Sequence, residues 1–354
     1  MKTGIRAALV AAAGAATLAF AGSALAGNTA TVAAWHTPMV LNGSTSTTLH
    51  ISIPKSTDPI ARLAIYAPAG YGATLGQASG TNIGSVDAAA FSYDTQLTLP
   101  LSGTVVTDDP AKHTSDVCSP GTHGGVWILN LSVAGQTLQV PLYVDATSGA
   151  EAALGAYRLV ICLPPPDVPA GTPGRAAFGA QLLDAKFTVN GIFKTPATAG
   201  VLRWETIFTP YNPGKGTPNL AGTFEARSLV QLPVVLTLGV SYNKQTTAYA
   251  LKGKLTEGGT PVASVGTTIL RGPSAVGIPR VGSATTKADG SFAASGKVKK
   301  KKTTYFKVIA SVGERDFTAQ GCVNPLPPTV APAGCVSATL SPWAAASAVV
   351  KLKS

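Results

Sequence analysis

The chain has 354 residues, of which 45% are hydrophobic and 12% are charged, and its formal net charge is +11. This apolar content excludes a wholly disordered chain, and the length predicts two domains, or three. The 38 glycines and 26 prolines, together with few charged residues, favour a turn-rich β protein over a helical cytosolic enzyme.

Residues 1–26 have the pattern of a cleavable signal peptide. Lys2 and Arg6 precede a stretch of small apolar residues, and Ala24-Leu25-Ala26 has the A-x-A form of a cleavage site. An N-terminal membrane anchor is the alternative interpretation, because the apolar stretch approaches spanning length. No later stretch does so. We therefore expect a protein that is secreted or held at the cell envelope.

Residues 27–242 are predicted to form a β-rich N-terminal domain, which can divide into two subdomains and resembles no family. Apolar patterns predict strands at residues 47–53, 127–133, 138–144, 157–162 and 183–189. Apolar residues alternate with other residues along 127–133 and 138–144, on either side of Ala134-Gly135-Gln136. This pattern predicts an antiparallel hairpin. Strands at this spacing are typical of β-sandwiches.

The four cysteines agree with export, because an even number of cysteines in a secreted chain usually means disulfides. Four cysteines allow three pairings. Proximity in the sequence favours Cys118–Cys162 and Cys322–Cys335, one bridge in each domain. A zinc site is the alternative, but the cysteines and histidines lack the spacing it requires.

All four histidines, His36, His50, His113 and His123, lie in the first domain. His113 and His123 each stand five positions from Cys118, and a metal-handling protein is one hypothesis if His36 converges with them. The surrounding prolines and glycines favour exposed loop histidines instead. We expect no metal site.

Residues 243–354 are predicted to form a second, basic domain that ends in a disulfide-closed, proline-rich segment. Its segments at 249–255, 258–262, 285–292 and 304–308 follow the order L-x-G-x-L, G-x-P-V, T-x-A-D-G-x-F and T-x-Y-x-V in loose form. Over residues 249–320 this order resembles the immunoglobulin-like and carboxypeptidase-regulatory-like modules of bacterial surface proteins. The resemblance implies an immunoglobulin-like β-sandwich and says nothing about a ligand. Asp289-Gly290 also predicts a hairpin turn.

The charged residues are distributed unevenly on the two sides of residue 242. Residues 27–242 carry 10 Lys and Arg against 12 Asp and Glu, whereas residues 243–354 carry 15 against 4. Five of these cations are Lys297, Lys299, Lys300, Lys301 and Lys302. We interpret this run as the tip of a β-hairpin, which either only discourages edge-to-edge pairing or binds an anionic cell-envelope polymer or anionic membrane surface.

Motifs of nucleophilic, zinc-dependent and nucleotide-binding enzymes are missing from the sequence. The four tryptophans are expected to pack in cores. The sequence therefore predicts an all-β protein of two β-sandwich-like domains, or three, with a non-catalytic structural or binding role. We expect a monomer without a cofactor and without specific nucleic-acid binding. The alternative is a secreted polysaccharide hydrolase, which would need two separated carboxylates in a cleft.

Overall fold

A computed structural model describes residues 28–133, 135–316 and 337–354. Within these residues the chain forms twenty-four strands and four short 3-10 helices, so the all-β prediction is confirmed. The 3-10 helices are Pro110–His113, Gly149–Ala153, Ala177–Gly179 and Leu220–Gly222. The strands are β1 (Thr31–Thr37), β2 (Ser44–Ser52), β3 (Ile60–Ala67), β4 (Gly72–Ala73), β5 (Asn82–Ser92), β6 (Thr98–Asp108), β7 (Gly125–Val133), β8 (Gln136–Ala146), β9 (Tyr157–Cys162), β10 (Ala180–Lys194), β11 (Gly200–Pro210), β12 (Phe224–Leu232), β13 (Val234–Leu236), β14 (Gly239–Asn243), β15 (Ala248–Glu257), β16 (Thr260–Pro261), β17 (Gly266–Gly272), β18 (Arg280–Thr285), β19 (Ser291–Lys297), β20 (Thr303–Val312), β21 (Arg315–Asp316), β22 (Ser337–Leu340), β23 (Trp343–Ala346) and β24 (Val350–Lys353).

One large sheet of fourteen strands dominates the N-terminal part. Its order is β1-β2-β10-β5-β6-β7-β8-β9-β3-β11-β12-β22-β21, with β4 beside β10. The predicted hairpin is β7 and β8, and β7 pairs with β8 along its whole length. The sheet curls over a common core, because β1 packs against β12 and β22 from the far end of the order. The Ala34 amide, on β1, donates to Ser228 Oγ on β12 at 2.8 Å.

Side chains that alternate inward along these strands make the core of the curled sheet. Trp127 and Trp204 are fully buried and meet Phe193 edge-on, with ring centroids 6.3 and 5.6 Å apart. Burying one large apolar side chain stabilises a fold by roughly 2–3 kcal/mol. Trp343 is buried as well, so the predicted packing of these three tryptophans is confirmed.

The C-terminal part is a β-sandwich of two five-stranded sheets. In one sheet, β15 pairs with β13 and β14 along one edge and with β16 and β19 along the other. In the second sheet the order is β18-β17-β20, and both β23 and β24 pair with the free edge of β20. Leu251, Leu255 and Phe292 of the first sheet share a core with Phe306 and Val308 of the second.

Two hairpins predicted for this part are wrong, because the strands before and after each turn do not pair with each other. Asp289-Gly290 forms a turn, with Gly290 at φ 75°, but β18 before it pairs with β17 whereas β19 after it pairs with β15. The lysine run likewise connects β19 of one sheet to β20 of the other. A turn signal is local, whereas the partner of each strand is decided by how the two sheets stack.

The predicted division at 242/243 falls inside strand β14, which pairs antiparallel with β15. We propose that the second domain begins near Pro233, where β12 of the large sheet ends and β13 of the sandwich begins. Residues 233–242 carry no charge, so the division of charge is unaffected. The chain also returns to the first part, because β22 pairs parallel with β12.

The disulfide predicted between Cys118 and Cys162 is present, with the two Cα atoms 5.8 Å apart. It joins the loop after β6 to the end of β9, beside buried Val126, Tyr143 and Val160. The second predicted bridge, Cys322–Cys335, and the predicted signal peptide at residues 1–26 lie outside the described residues.

A group of buried charges lies on β11 and β12. Nε of Arg227 donates to both carboxylate oxygens of Glu205 at 2.8 Å, and its Nη2 donates to Glu225 at 3.1 Å. All three side chains are buried, and Arg203 approaches Glu205 at 3.3 Å. Burial raises the pKa of Glu205 against the opposing effect of Arg227. Arg227 therefore balances two carboxylates that water does not reach.

Removal of the disulfide should destabilise the protein. The bridge spans a sequence separation of 44 residues, for which the chain-entropy model gives about 4 kcal/mol. We expect the Cys118→Ser/Cys162→Ser variant to lose about 2–4 kcal/mol of unfolding free energy in urea titrations. A variant as stable as the parent protein would show that the bridge does not constrain the unfolded chain.

Replacement of Arg227 should cost more than replacement of the whole charged group. We expect Arg227→Met to lower the unfolding free energy by about 3–5 kcal/mol, because Glu205 and Glu225 stay buried without this partner. The matched control is the triple variant Glu205→Gln/Glu225→Gln/Arg227→Met, which should recover much of the loss in urea titrations. Equal losses in the two variants would contradict this account.

Candidate functional site

Three connections between strands lie at the same end of the C-terminal sandwich. These are the turn at 244–247 between β14 and β15, the loop at 273–279 between β17 and β18, and the connection at 298–302 between β19 and β20. The Val298 amide donates to the Thr247 carbonyl at 3.0 Å, which ties the first connection to the third. We call this the distal end, because the opposite end of the sandwich meets the large sheet.

The backbone of the 298–302 connection is held by Ser354. The Lys301 amide donates to the Ser354 carbonyl at 2.9 Å. The Ser354 hydroxyl lies 2.7 Å from the carbonyl of Lys299 and 2.8 Å from that of Lys302. Lys301 adopts a positive φ of 58°, a conformation that needs such support in a residue with a side chain. The main chain is thus fixed, while the side chains of Lys299–Lys302 are exposed.

An open cleft of about 660 Å³ lies between this connection and the 273–279 loop. Lys297, Lys299 and Lys302 line it together with the half-buried Arg271. Nη1 of Arg271 donates to the Lys297 carbonyl at 3.1 Å and to the Tyr249 hydroxyl at 3.3 Å. Four cations therefore surround one water-accessible space. Lys300 and Lys301 stand exposed beside it without lining it.

All four acidic residues after position 242 lie away from the distal end. Glu257 ends β15 and pairs with Arg315 at 2.7 Å, and Glu314 pairs with His50 at 2.7 Å. Asp289 lies in the turn before β19, and Asp316 ends β21. Within the described residues, none of the five predicted lysines has a carboxylate within ion-pair distance. The sandwich is thus cationic at one end, and its acids are at the other.

Three further lysines extend the cationic surface over the outer face of the second sheet. Lys353 lies opposite Thr303 and Lys351 opposite Tyr305, with Lys351 Nζ 5.8 Å from the centroid of the tyrosine ring. Lys307 follows on the same face of β20, since side chains two apart share a face. The sequence prediction missed these residues. The alternation at 350–353 was the available signal, but it does not reveal which strand lies alongside.

His113 and His123 are not the solvated loop residues predicted from the sequence. His113 lies between Asp116, at 2.7 Å, and Asp108, at 3.2 Å. Burial alone would lower the pKa of His113, but hydrogen bonds and charges of these two aspartates raise it. His123 has a side chain only 2% exposed and lies 3.1 Å from Asp145. These contacts fix the loop around the Cys118–Cys162 disulfide.

The hypothesis of a metal site formed by His36, His113 and His123 is also not supported by the geometry. His36 lies in the core, with Nε2 2.7 Å from the Tyr71 hydroxyl, and burial lowers its pKa to about 3. The other two rings meet at Tyr143, elsewhere in the sheet. Across the described ranges, no group of three His, Cys, Asp or Glu residues could hold a metal ion.

The hydrolase alternative requires two carboxylates that a substrate can reach. The structure does bring Glu205 and Glu225 together, but both are buried and bridged by Arg227. Because these carboxylates face no open space, this pair does not provide the geometry of a glycoside hydrolase.

His50 connects the two parts of the protein. Nε2 is 2.9 Å from Asp184 of β10 and Nδ1 is 2.7 Å from Glu314, which follows β20 of the sandwich. Burial alone would lower the pKa of His50, but hydrogen bonds and charges of Glu314 and Asp184 outweigh it and raise the pKa. The imidazolium form, which donates from both nitrogens, therefore suits this position.

Comparisons with known proteins assign no family. No family model matches the chain. No curated protein matches it. Among solved structures it is similar to the full-length major pilin SpaD from Corynebacterium diphtheriae, at 13% identity and a TM-score of 0.24. The match covers 80% of this chain and 56% of the pilin, so the chain spans little more than half of that protein. A similarity this distant does not bear on function.

The stability supplied by His50 should depend on pH. A histidine whose pKa is raised by folding stabilises the protein fully below its unfolded pKa of about 6.5, and this contribution is lost as the pH rises through the folded pKa. We expect His50→Gln to be less stable than the parent by about 1 kcal/mol or less near pH 5.5, and this difference to shrink by about pH 8.5. Urea titrations at a series of pH values measure the difference. A difference that does not change with pH would contradict the charged pairing.

Proposed function

We propose that this protein is an exported, non-catalytic binding protein whose distal end attaches to an anionic component of the cell envelope. The observation that carries the proposal is the separation of charge along the C-terminal sandwich. Lys297, Lys299, Lys300, Lys301 and Lys302 gather with Arg271 at one end, and the acids of the sandwich lie elsewhere. Cations without partners attract anions over about 8 Å at physiological salt.

The alternative interpretation of the lysines, protection of a sheet edge, has less support from the geometry. Such charges act on an exposed edge strand. Lys299–Lys302 lie in a connection between two sheets, and their backbone is fixed by Ser354. A fixed cationic connection beside an open cleft is suited to binding, because its main chain loses little entropy when an anion binds.

The proposed location rests on the signal sequence and the disulfide. Bridges such as Cys118–Cys162 form and persist in oxidising compartments. Among the described residues no helix is long and apolar enough to span a bilayer. On this proposal the large N-terminal sheet has a structural role, and the sandwich makes the attachment.

Neutralisation of the lysine run should abolish most binding to a polyanion. Each lysine near an anionic surface contributes about 1 kcal/mol, so we expect Lys299→Gln/Lys300→Gln/Lys301→Gln/Lys302→Gln to weaken binding to immobilised polyglutamate at least a hundredfold. Binding of the parent protein should also weaken steeply as salt is added. Surface plasmon resonance measures both effects.

The matched control changes four exposed lysines away from the distal end: Lys112, Lys194, Lys215 and Lys287. Their replacement by glutamine removes the same net charge but should leave most of the binding. Equal loss in the two quadruple variants would show that only the total charge matters. Failure of the parent protein to bind any polyanion would refute the proposed function.

A further inference from the structure

The distal end carries a second exposed feature, the loop at 273–279. Val276 at its tip is 82% exposed, and Pro273, Ala275 and Gly277 around it are exposed too. The loop contains no charged residue. High exposure alone does not identify a binding residue, because Leu220, in another part of the protein, is 77% exposed. Val276 differs in its surroundings.

Arg271 joins the base of this loop to the lysine run. Its amide donates to the Pro279 carbonyl at 2.9 Å, which closes the base of the loop. Its guanidinium donates to the carbonyl of Lys297 at 3.1 Å, which joins the loop to the lysine run. Pro273 lines the same cleft as Lys299 and Lys302. An exposed valine therefore stands in a loop at the distal end, and Arg271 joins the base of that loop to the lysine run.

The loop has a defined shape before any partner binds. Gly272 allows Pro279 to approach closely, since a Cβ atom at Gly272 would lie 3.0 Å from Pro279 Cδ. The Val276 amide donates to the Ser274 hydroxyl at 3.2 Å. Insertion of the tip into an apolar medium would therefore require little reordering of the chain.

We infer that the distal end docks on a lipid bilayer that contains anionic headgroups. Val276 enters the boundary between headgroups and acyl chains, while Lys299–Lys302, Arg271 and Lys353 lie at headgroup level. This inference rests on the proposed function and names its partner. A soluble polyanion gains nothing from an exposed valine, whereas a bilayer offers both the negative charge and the apolar layer.

Co-sedimentation of the full chain with vesicles of two parts phosphatidylcholine and one part phosphatidylglycerol tests the inference. We expect Val276→Ser to bind these vesicles about tenfold more weakly at constant salt, as burial of one valine predicts. The same variant should bind polyglutamate as the parent does. Leu220→Ser, which removes an equally exposed apolar residue elsewhere, should bind both partners normally.

A gain-of-function variant gives an independent measurement. Val276→Trp should bind the vesicles more tightly, and its fluorescence should shift to shorter wavelength when they are added. Circular dichroism of each variant establishes that the β fold is retained.

The outcomes separate this inference from the proposed function. If Val276→Ser binds vesicles as tightly as the parent and Val276→Trp shows no fluorescence shift, bilayer insertion is refuted and electrostatic attachment stands. If the parent binds polyglutamate but not vesicles, the partner is a polymer and the inference again fails. If the parent binds neither, both the inference and the proposed function are wrong.

Discussion

The return of the chain from the C-terminal sandwich to the large sheet is the constraint on which the rest of the structure depends. After β20 the chain leaves the sandwich, and β22 pairs parallel with β12 before β23 rejoins the sandwich. Parallel strands cannot be joined by a tight turn, so this pairing requires a long connection. Its consequence is that one end of the sandwich is held against the large sheet and the other end is free.

The contact between the sandwich and the large sheet also determines which partners the carboxylates of the sandwich can reach. Glu257 is engaged by Arg315, and Glu314 reaches His50 on β2, so both carboxylates serve contacts at the held end. The free end keeps cations that have no such partners among the described residues. Their mutual repulsion is tolerated because the side chains are exposed and screened by salt, while the backbone that carries them is fixed by hydrogen bonds to Ser354.

The sequence predicts the elements of this protein better than their partners. Alternation at 127–144 correctly predicts β7 and β8, because a hairpin pairs neighbours in the chain. Asp289-Gly290 and the lysine run suggest hairpins for the same reason, and both predictions fail because the sandwich joins strands of different sheets there. Lys351 joins the cationic surface only because β24 pairs with β20, which places it opposite Tyr305, more than 40 residues earlier in the chain. The burial of Glu205 could not be predicted from the sequence either, because Glu205 has the pattern of a surface residue on an alternating strand.

The same topology sets the distance between the distal lysines and the large sheet. Strand β20 has ten residues and runs from the distal connection to the held end. At 3.3–3.4 Å per residue its length is roughly 33 Å, about four Debye lengths at physiological salt. The carboxylates at the held end are therefore too far away to weaken the field of the distal lysines. A sandwich that placed its acids in the distal turns would neutralise that field. Separation of the two charges along the strands therefore keeps the distal end cationic without loss of the contacts to the large sheet, as the proposed attachment requires.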